Sequence, residues 1–231
     1  MPTFCTLSMA EELDNIKIVR VTRALLDEYV EIHNKLLPVQ YPQKWYDGFF
    51  AEDTRVALAA IDTSICVAPV ESDGSVESAK RSQIIGFVSG RVDMYDATSF
   101  CSYICCSRNM VRCGYIMSLG CLKSHRRRGI GSHMLNTLMC ILSDMGCNSF
   151  SLHCTVNNAA AIQLYERHGF QTTTFLKDYY HFHGRYHDAY HLLLEKSNHR
   201  TPMNFKSTKL EQVRLMPLLN DGEVTRYRKN S

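Results

Sequence analysis

The stretch HRRRGIGSHML, residues 125–135, decides how this chain is read. It follows GYIMSLGCL (114–122), an apolar run with the look of a strand. It precedes Leu135, Leu138, Met139 and Leu142, which recur at i, i+3, i+4 and i+7 and mark one apolar helix face. Strand, glycine-containing turn and helix in that order make a candidate anion site. Gly129 and Gly131 let the backbone approach a ligand closely, and a helix N-terminus offers unpaired N–H groups and partial positive charge. Arg126, Arg127 and Arg128 add formal charge at the rim. A nucleotide-triphosphate loop, GxxxxGK[ST], is excluded because its lysine and its spacing are missing. A dinucleotide fingerprint, GxGxxG, is only half supplied. From these residues alone, a solvated basic turn before an ordinary helix stays open.

Outward from this stretch the elements alternate. IKIVRV (16–21) reads as a strand, and residues 23–36 carry Leu25, Leu26, Tyr29, Ile32 and Leu36 near helical spacing. Two prolines in LPVQYP (37–42) stop that helix, and QKWYDGFF resumes as a short one. TRVALAAI (54–61) and SQIIGFVSGRVDM (82–94) read as strands around a polar loop at 62–81, with a second loop at 95–110. NSFSLHCTV (148–156) is another strand. Asn157 and Asn158 can cap the helix AAAIQLYERH, which Gly169 can close. Two strands follow around His183-Gly184. The class is α/β: a mixed, mostly antiparallel sheet of about seven strands with flanking helices. The expected division is a flexible N-terminus (1–14), one domain (15–196) and a polar, basic tail (197–231).

Composition narrows the chemistry. The chain has 231 residues, 45% hydrophobic and 21% charged, enough for one sizeable core. A net charge of +3 is small for a nucleic-acid binder, so no nucleic-acid partner is expected. The ten cysteines are scattered, and Glu11, Glu12 and Asp14 are unlike a signal peptide, so the cysteines read as reduced intracellular thiols. Cys101, Cys105 and Cys106 lack a second ligand pair at zinc spacing, so no metal is expected. No run approaches the roughly 18 apolar residues of a membrane-spanning helix.

Two motifs together point further. Arg126-x-x-Gly129-x-Gly131, between strand and helix, resembles the acetyl-CoA pyrophosphate loop of the GNAT acyltransferase superfamily. Asn158-x-x-Ala161-x-x-x-Tyr165, followed by Gly169-Phe170, resembles its second signature. LPVQYPQKWY (37–46), YIMSLGCLKSHRRRGIGSHML (115–135), LHCTVNNAAAIQLYERHGF (152–170) and LKDYYHFHGRYHDAY (176–190) resemble the protein N-terminal acetyltransferases. The likeness is greatest to the Golgi-associated NatF kind and next to the NatE catalytic subunits, over roughly residues 15–195.

The resemblance implies a GNAT fold and transfer of acetyl from acetyl-CoA, the cosubstrate, to protein N-termini by direct attack in a ternary complex. It assigns base chemistry to His153, aided by Tyr115, and a proton for the leaving thiolate to Tyr165. Backbone groups of Leu119, Gly120, Cys121 and Leu122 should pair with pantetheine. Arg126, Arg127, Arg128, Gly129, Ile130, Gly131 and Ser132 should hold the pyrophosphate, and Asn158 the cofactor arm. Asn158 can equally cap its helix, and Tyr165 can equally be core packing. Leu37, Pro38, Val39, Gln40 and Tyr41 match the turn that receives the first substrate side chain. Tyr179 and Tyr180 match the pair that binds the peptide backbone, although aromatics there also suit cross-strand packing. Leu37 replaces the usual Phe, and Gln40 the usual Glu of the NatF kind. The expected substrates begin with Met followed by a hydrophobic residue or Lys, on membrane proteins with cytosolic N-termini. Lysine (histone) acetylation and a non-catalytic acetyl-CoA-binding module are the alternatives. Location on the cytosolic face of the Golgi is expected by resemblance, and otherwise in the cytoplasm. Leu210, Val213, Leu215, Met216, Leu218 and Leu219 in the tail could contact a membrane, although Pro217 interrupts them.

Overall fold

The structure, a computed structural model, describes residues 15–64, 84–96 and 110–195. The expected flexible N-terminus, the tail with its apolar strip, and Cys101, Cys105 and Cys106 lie outside the described residues. The order is β1 (Ile16–Arg20), α1 (Leu26–Leu36), α2 (Gln43–Ala51), β2 (Arg55–Asp62), β3 (Ile84–Asp96), β4 (Met110–Cys121), α3 (Ile130–Asp144), β5 (Ser149–Thr155), α4 (Ala159–Arg167), β6 (Gln171–Phe182) and β7 (Arg185–Glu195). The strands form one sheet, ordered β1-β2-β3-β4-β5-β7-β6. β4 and β5 run parallel, while β1–β2, β2–β3, β5–β7 and β6–β7 are antiparallel.

Each helix buries the face its sequence sets apart. α3 buries Ile130, Met134, Leu135, Leu138 and Leu142 against the sheet. At about 1.5–3 kcal/mol per side chain, that burial contributes on the order of 10 kcal/mol before chain entropy is counted. α1 buries Leu26, Tyr29, Ile32 and His33, and α2 buries Tyr46 and Phe49. The helix expected over 23–36 opens with a short 3-10 turn, Arg23–Leu25. Pro42 is the N-cap of α2, where its fixed φ and missing N–H cost nothing. β2 is buried along nearly its whole length because both faces of the sheet are covered there. One cluster lies under α3 and α4, and the other unites α1 and α2 with Ala57, Ala59, Ile84 and Phe87.

The central strand changes face part-way along. A Cβ on Gly114 would meet Leu142 and Phe150, and Ile116 joins the same α3-side cluster. Two residues on, the hydroxyl of Ser118 lies 2.6 Å from that of Ser89, and a Cβ on Gly120 would lie 2.5 Å from Phe87 Cζ, on the α1 side. Strict alternation would keep all four on one face, so one extra residue is taken up between Ile116 and Ser118, as in a β-bulge. Just before it, the ladder between β4 and β5 ends: Cys113, Gly114 and Tyr115 pair with Ser149, Phe150 and Ser151, and no later pair forms. Both strands continue past that point with their facing backbone groups unpaired to each other.

Candidate active site

The basic turn is held in shape by its own backbone. Arg127 has φ 66° and Gly129 φ 79°, both in the left-handed region, which Gly129 adopts without a Cβ clash. Gly129 is the N-cap of α3, and the first amide to return into the helix is that of His133, to Gly129 O at 3.0 Å. The N–H groups of Ile130, Gly131 and Ser132 therefore have no acceptor within the helix. Arg126 is exposed, and its Nε donates to Cys121 O at 3.0 Å, tying the turn back to β4. A Cβ on Gly131 would meet only Leu164 Cδ2, at 3.6 Å, so packing inside the chain does not require glycine there. The turn is thus a cradle of free amides with no tight contact over Gly131, and an anionic diphosphate fits it.

The backbone groups expected along β4 divide by direction. Leu122 N–H donates to Ile85 O at 2.8 Å, which commits it to β3. Gly120 O also lies on the β3 side, 3.0 Å from a Cβ built on Gly86. In an extended strand, alternate residues point their N–H and C=O to opposite neighbours, so Leu119 and Cys121 face the gap toward β5. Cys121 O is taken by Arg126.

Beside that gap stands a cluster of rings. Tyr115 Oη lies 2.9 Å from His153 Nδ1, and the His153 ring stacks on Tyr179 with centroids 4.5 Å apart. Tyr180 Oη donates to His153 O at 3.2 Å, and the rings of Tyr179 and Tyr180 meet edge to face. Burial pushes the Tyr115 phenol well above its ordinary value; Tyr179 and Tyr180 add to that push and Arg91 opposes it. Burial, and then His191, lowers His153 to about 3. At neutral pH both partners are uncharged. His153 Nε2 is buried and has no hydrogen-bond partner among the described residues.

The remaining expected residues surround this cluster. Asn158 caps α4, its Oδ1 accepting from Ala161 N at 3.3 Å. Tyr165 is buried in the α3-side core against Phe170, and burial raises its phenol. Leu37 is half-buried against the α1–α2 core, while Pro38 and Gln40 are exposed. Tyr41 stacks on Trp45 at 4.2 Å and packs its edge on His33. Sequence reasoning did not single out Arg91, whose guanidinium carbon lies 5.4 Å from the Tyr115 ring centre and whose Nε donates to Asp93 at 2.8 Å. Nor did it single out His191, directly across the ladder from His153. The alternation in RVDM was the available signal for Arg91, since it puts charged side chains on one face of β3; YHLLL carries no such alternation and gave none for His191.

The model of the Acetyltransferase (GNAT) family matches residues 26–170, more than half of the chain and every element from α1 to the end of α4. The chain belongs to the GNAT acetyltransferase family. Its α/β class and seven-stranded mixed sheet are those of that fold. Among similar proteins of the family is the N-alpha-acetyltransferase 60 of Drosophila melanogaster, 27% identical over 176 residues, which are 71% of this chain and 63% of the fly protein. The chain therefore spans less than two thirds of that relative. The histone acetyltransferase MCC1 of Arabidopsis thaliana is 26% identical over 180 residues, 77% of this chain and 68% of that protein. The GNAT fold is shared with the crystal structure of Arabidopsis thaliana NAA60 in complex with a bisubstrate analogue, at TM-score 0.62 and 23% identity, covering 78% of this chain and 97% of that one. Among the described residues, no group of three His, Cys, Asp or Glu side chains could hold a metal ion, and no helix is long and apolar enough to cross a membrane.

Proposed function

We propose that this GNAT chain transfers acetyl from acetyl-CoA to the α-amino group of protein N-termini. The observation that carries the reading is the Tyr115–His153 pair, roofed by Tyr179 and Tyr180, at the point where β4 and β5 stop pairing. The free amides of Ile130, Gly131 and Ser132, with Arg126, Arg127 and Arg128 around them, would hold the pyrophosphate. The gap-facing backbone of Leu119 and Cys121 would take the pantetheine amides, with Asn158 near the arm. Leu122 and Gly120 shape that edge from the β3 side. When bound, acetyl-CoA supplies the activated acetyl thioester.

The chain's own groups manage position and protons. Tyr179 and Tyr180 bind the peptide backbone, and Leu37, Pro38, Val39, Gln40 and Tyr41 line the place of the first side chain. A His held at about 3 does not store a proton taken from an ammonium, so His153 acts through water and takes up only in passing the proton that the amine must lose. Tyr115 orients that water and the imidazole. Tyr165, kept protonated by burial, would donate its hydroxyl proton to the leaving sulfur.

An α-amine, with a pKa near 8, is about 10% neutral at pH 7, whereas a lysine amine, near 10.4, is only about 0.04% neutral. The buried, uncharged pair therefore favours chain ends. Lysine acetylation is kept as a second reading because a histone acetyltransferase is among the similar proteins. A non-catalytic acetyl-CoA-binding module would leave the Tyr115–His153 pair without work to do. The aliphatic Leu37 suits an initiator Met followed by a hydrophobic residue or Lys. With Gln40 in place of a carboxylate, selectivity at the second position rests on shape. The partners proposed are membrane proteins with cytosolic N-termini, met at the cytosolic face of the Golgi, with peripheral contact through the tail. A panel of peptides beginning Met-Leu, Met-Lys, Ser and Ala, each with an internal lysine, incubated with labelled acetyl-CoA, tests the reading. Label on the α-amine of the Met peptides is expected; label mainly on lysine, or on Ser and Ala starts, would overturn it.

A further inference from the structure

We infer that His191 and Thr173 form an exit path for the proton that a bound substrate ammonium must lose, with His191 acting as relay partner to His153. The inference rests on the acetyl-transfer reading of the site.

The geometry runs in one direction. His153 and His191 are direct cross-strand partners on β5 and β7, so their side chains share the face that carries Tyr115. Their ring centroids are 5.0 Å apart. His153 is held through Nδ1 by Tyr115, which leaves Nε2, buried and unpartnered, as its only other proton-carrying atom. On the far side, His191 Nδ1 lies 2.6 Å from Thr173 Oγ1, and that hydroxyl also donates to His191 O at 3.2 Å. With the hydroxyl proton on the carbonyl, Nδ1–H of His191 donates to Oγ1, and His191 Nε2 holds a lone pair. Thr173 is exposed on β6. Tyr115, His153, His191 and Thr173 thus lead from the ring cluster to solvent across four neighbouring strands, β4, β5, β7 and β6.

The arrangement answers a need of the chemistry. An α-amine reaching the site near neutral pH is mostly ammonium, and it attacks a thioester only after losing one proton. That proton leaves the substrate nitrogen through water to Tyr115 Oη as the phenol gives its own proton to His153 Nδ1; His153 Nε2–H then passes its proton through a bridging water to His191 Nε2, and the Nδ1 proton of His191 is released at Thr173 to bulk water. The neutral amine then forms its bond to the acetyl carbon, the carbon–sulfur bond breaks, the sulfur takes a proton from Tyr165, and the nitrogen's second proton replaces it. The proton count balances, with one proton delivered to solvent per ammonium used. The other ionisable groups facing the pair are Tyr115, Tyr179 and Tyr180, with Arg91 behind Tyr115; all three phenols are pushed upward and stay neutral. His191 is lowered by burial, so it too passes a proton on without storing it.

The test compares wild type with His191→Phe, which keeps an aromatic ring against His153, and Thr173→Val, which keeps the branched shape. The kcat for a Met-Leu peptide is measured at saturation from about pH 6 to about pH 9.5, alongside acetyl-CoA affinity by calorimetry. In His191→Phe, kcat should fall about ten-fold or more near pH 6.5 and return to the wild-type value above the amine pKa, where no proton has to leave. Added imidazole should restore part of the loss, Thr173→Val should show a smaller loss of the same shape, and acetyl-CoA affinity should not change. A loss equal at every pH would mark His191 as merely structural, and no loss at low pH in either variant would remove it from the path. Wild type that transfers acetyl to no α-amine would overturn the site reading itself, and the relay with it.

Discussion

Varying the pH from about 5.5 to about 9.5 probes the electrostatics of the Tyr115–His153 pair without changing a residue. Burial and His191 hold His153 at about 3. At the acid end of the range the imidazole is therefore still ~99% neutral. Burial also holds the Tyr115 phenol well above its ordinary value, so it stays protonated at the alkaline end. Neither partner changes charge in the window, which leaves the substrate amine as the group that does. For a Met-Leu peptide, log kcat/KM should climb with unit slope, about 100-fold over two pH units, and flatten near pH 8, at the amine pKa. A peptide with a capped N-terminus and one lysine should keep climbing toward pH ~10.4 and lie roughly 250-fold lower at pH 7 from amine ionisation alone. Initial rates with labelled acetyl-CoA at subsaturating peptide give both curves. A plateau beginning near pH 6.5 that disappears in His153→Gln would show an ordinary, solvated histidine titrating in the free enzyme and would refute the reasoning.

Acid should destabilise the fold through two buried imidazoles, since burial lowers His33 to about 4 and His153 to about 3. The unfolded chain takes up their protons below pH ~6.5 while the folded chain refuses them, so stability falls with pH below 6.5 and levels off once the folded values are passed, at a cost of about 2 kcal/mol per histidine by pH 5. Urea titrations at several pH values should show this, and a flat stability between pH 6.5 and 4.5 would contradict it. Gly120→Ala should destabilise by about 1–3 kcal/mol in the same assay, because its Cβ would lie 2.5 Å from the fully buried Phe87; unchanged stability would mean that the β4 backbone is not where it is described. Gly129→Ala should cost about 1–2 kcal/mol from its φ of 79° and should also weaken CoA binding by calorimetry; loss of stability with affinity intact would detach the turn from the diphosphate.

The parts of this fold that were legible in the sequence are those in which neighbours along the chain are also neighbours in space. The spacing of Leu135, Leu138, Met139 and Leu142 depends only on the pitch of a helix, and α3 follows it from Ile130 to Asp144. Asn158 and Gly169 bracket α4 for equally local reasons, a side-chain cap and a left-handed residue. Strand ends moved by a few residues: the strand expected over 114–122 runs from Met110 to Cys121, because its pairing is decided by β3 and β5 and not by its own apolar run.

What stayed illegible depends on the third dimension. Alternation counted from Gly114 puts Ser118 and Gly120 on the α3 side; the structure puts them on the other, because one residue is absorbed between Ile116 and Ser118. No residue type announces that insertion. It appears only when Phe87 and Ser89 of β3 are seen to meet Gly120 and Ser118. The same shift decides which amides of β4 remain for a ligand. Leu122 is spent on Ile85, and Leu119 and Cys121 are turned toward β5. Motif resemblance could name that four-residue stretch as a unit, but only the register of a neighbouring strand could divide it. His191 is the converse case. Its distance from His153 in sequence hides a direct cross-strand pairing, and a histidine within YHLLL reads as one polar residue in an apolar strand until β7 is laid against β5. A site built across β4, β5, β6 and β7 therefore takes its residue types from the motifs and its working geometry from how those four strands are registered.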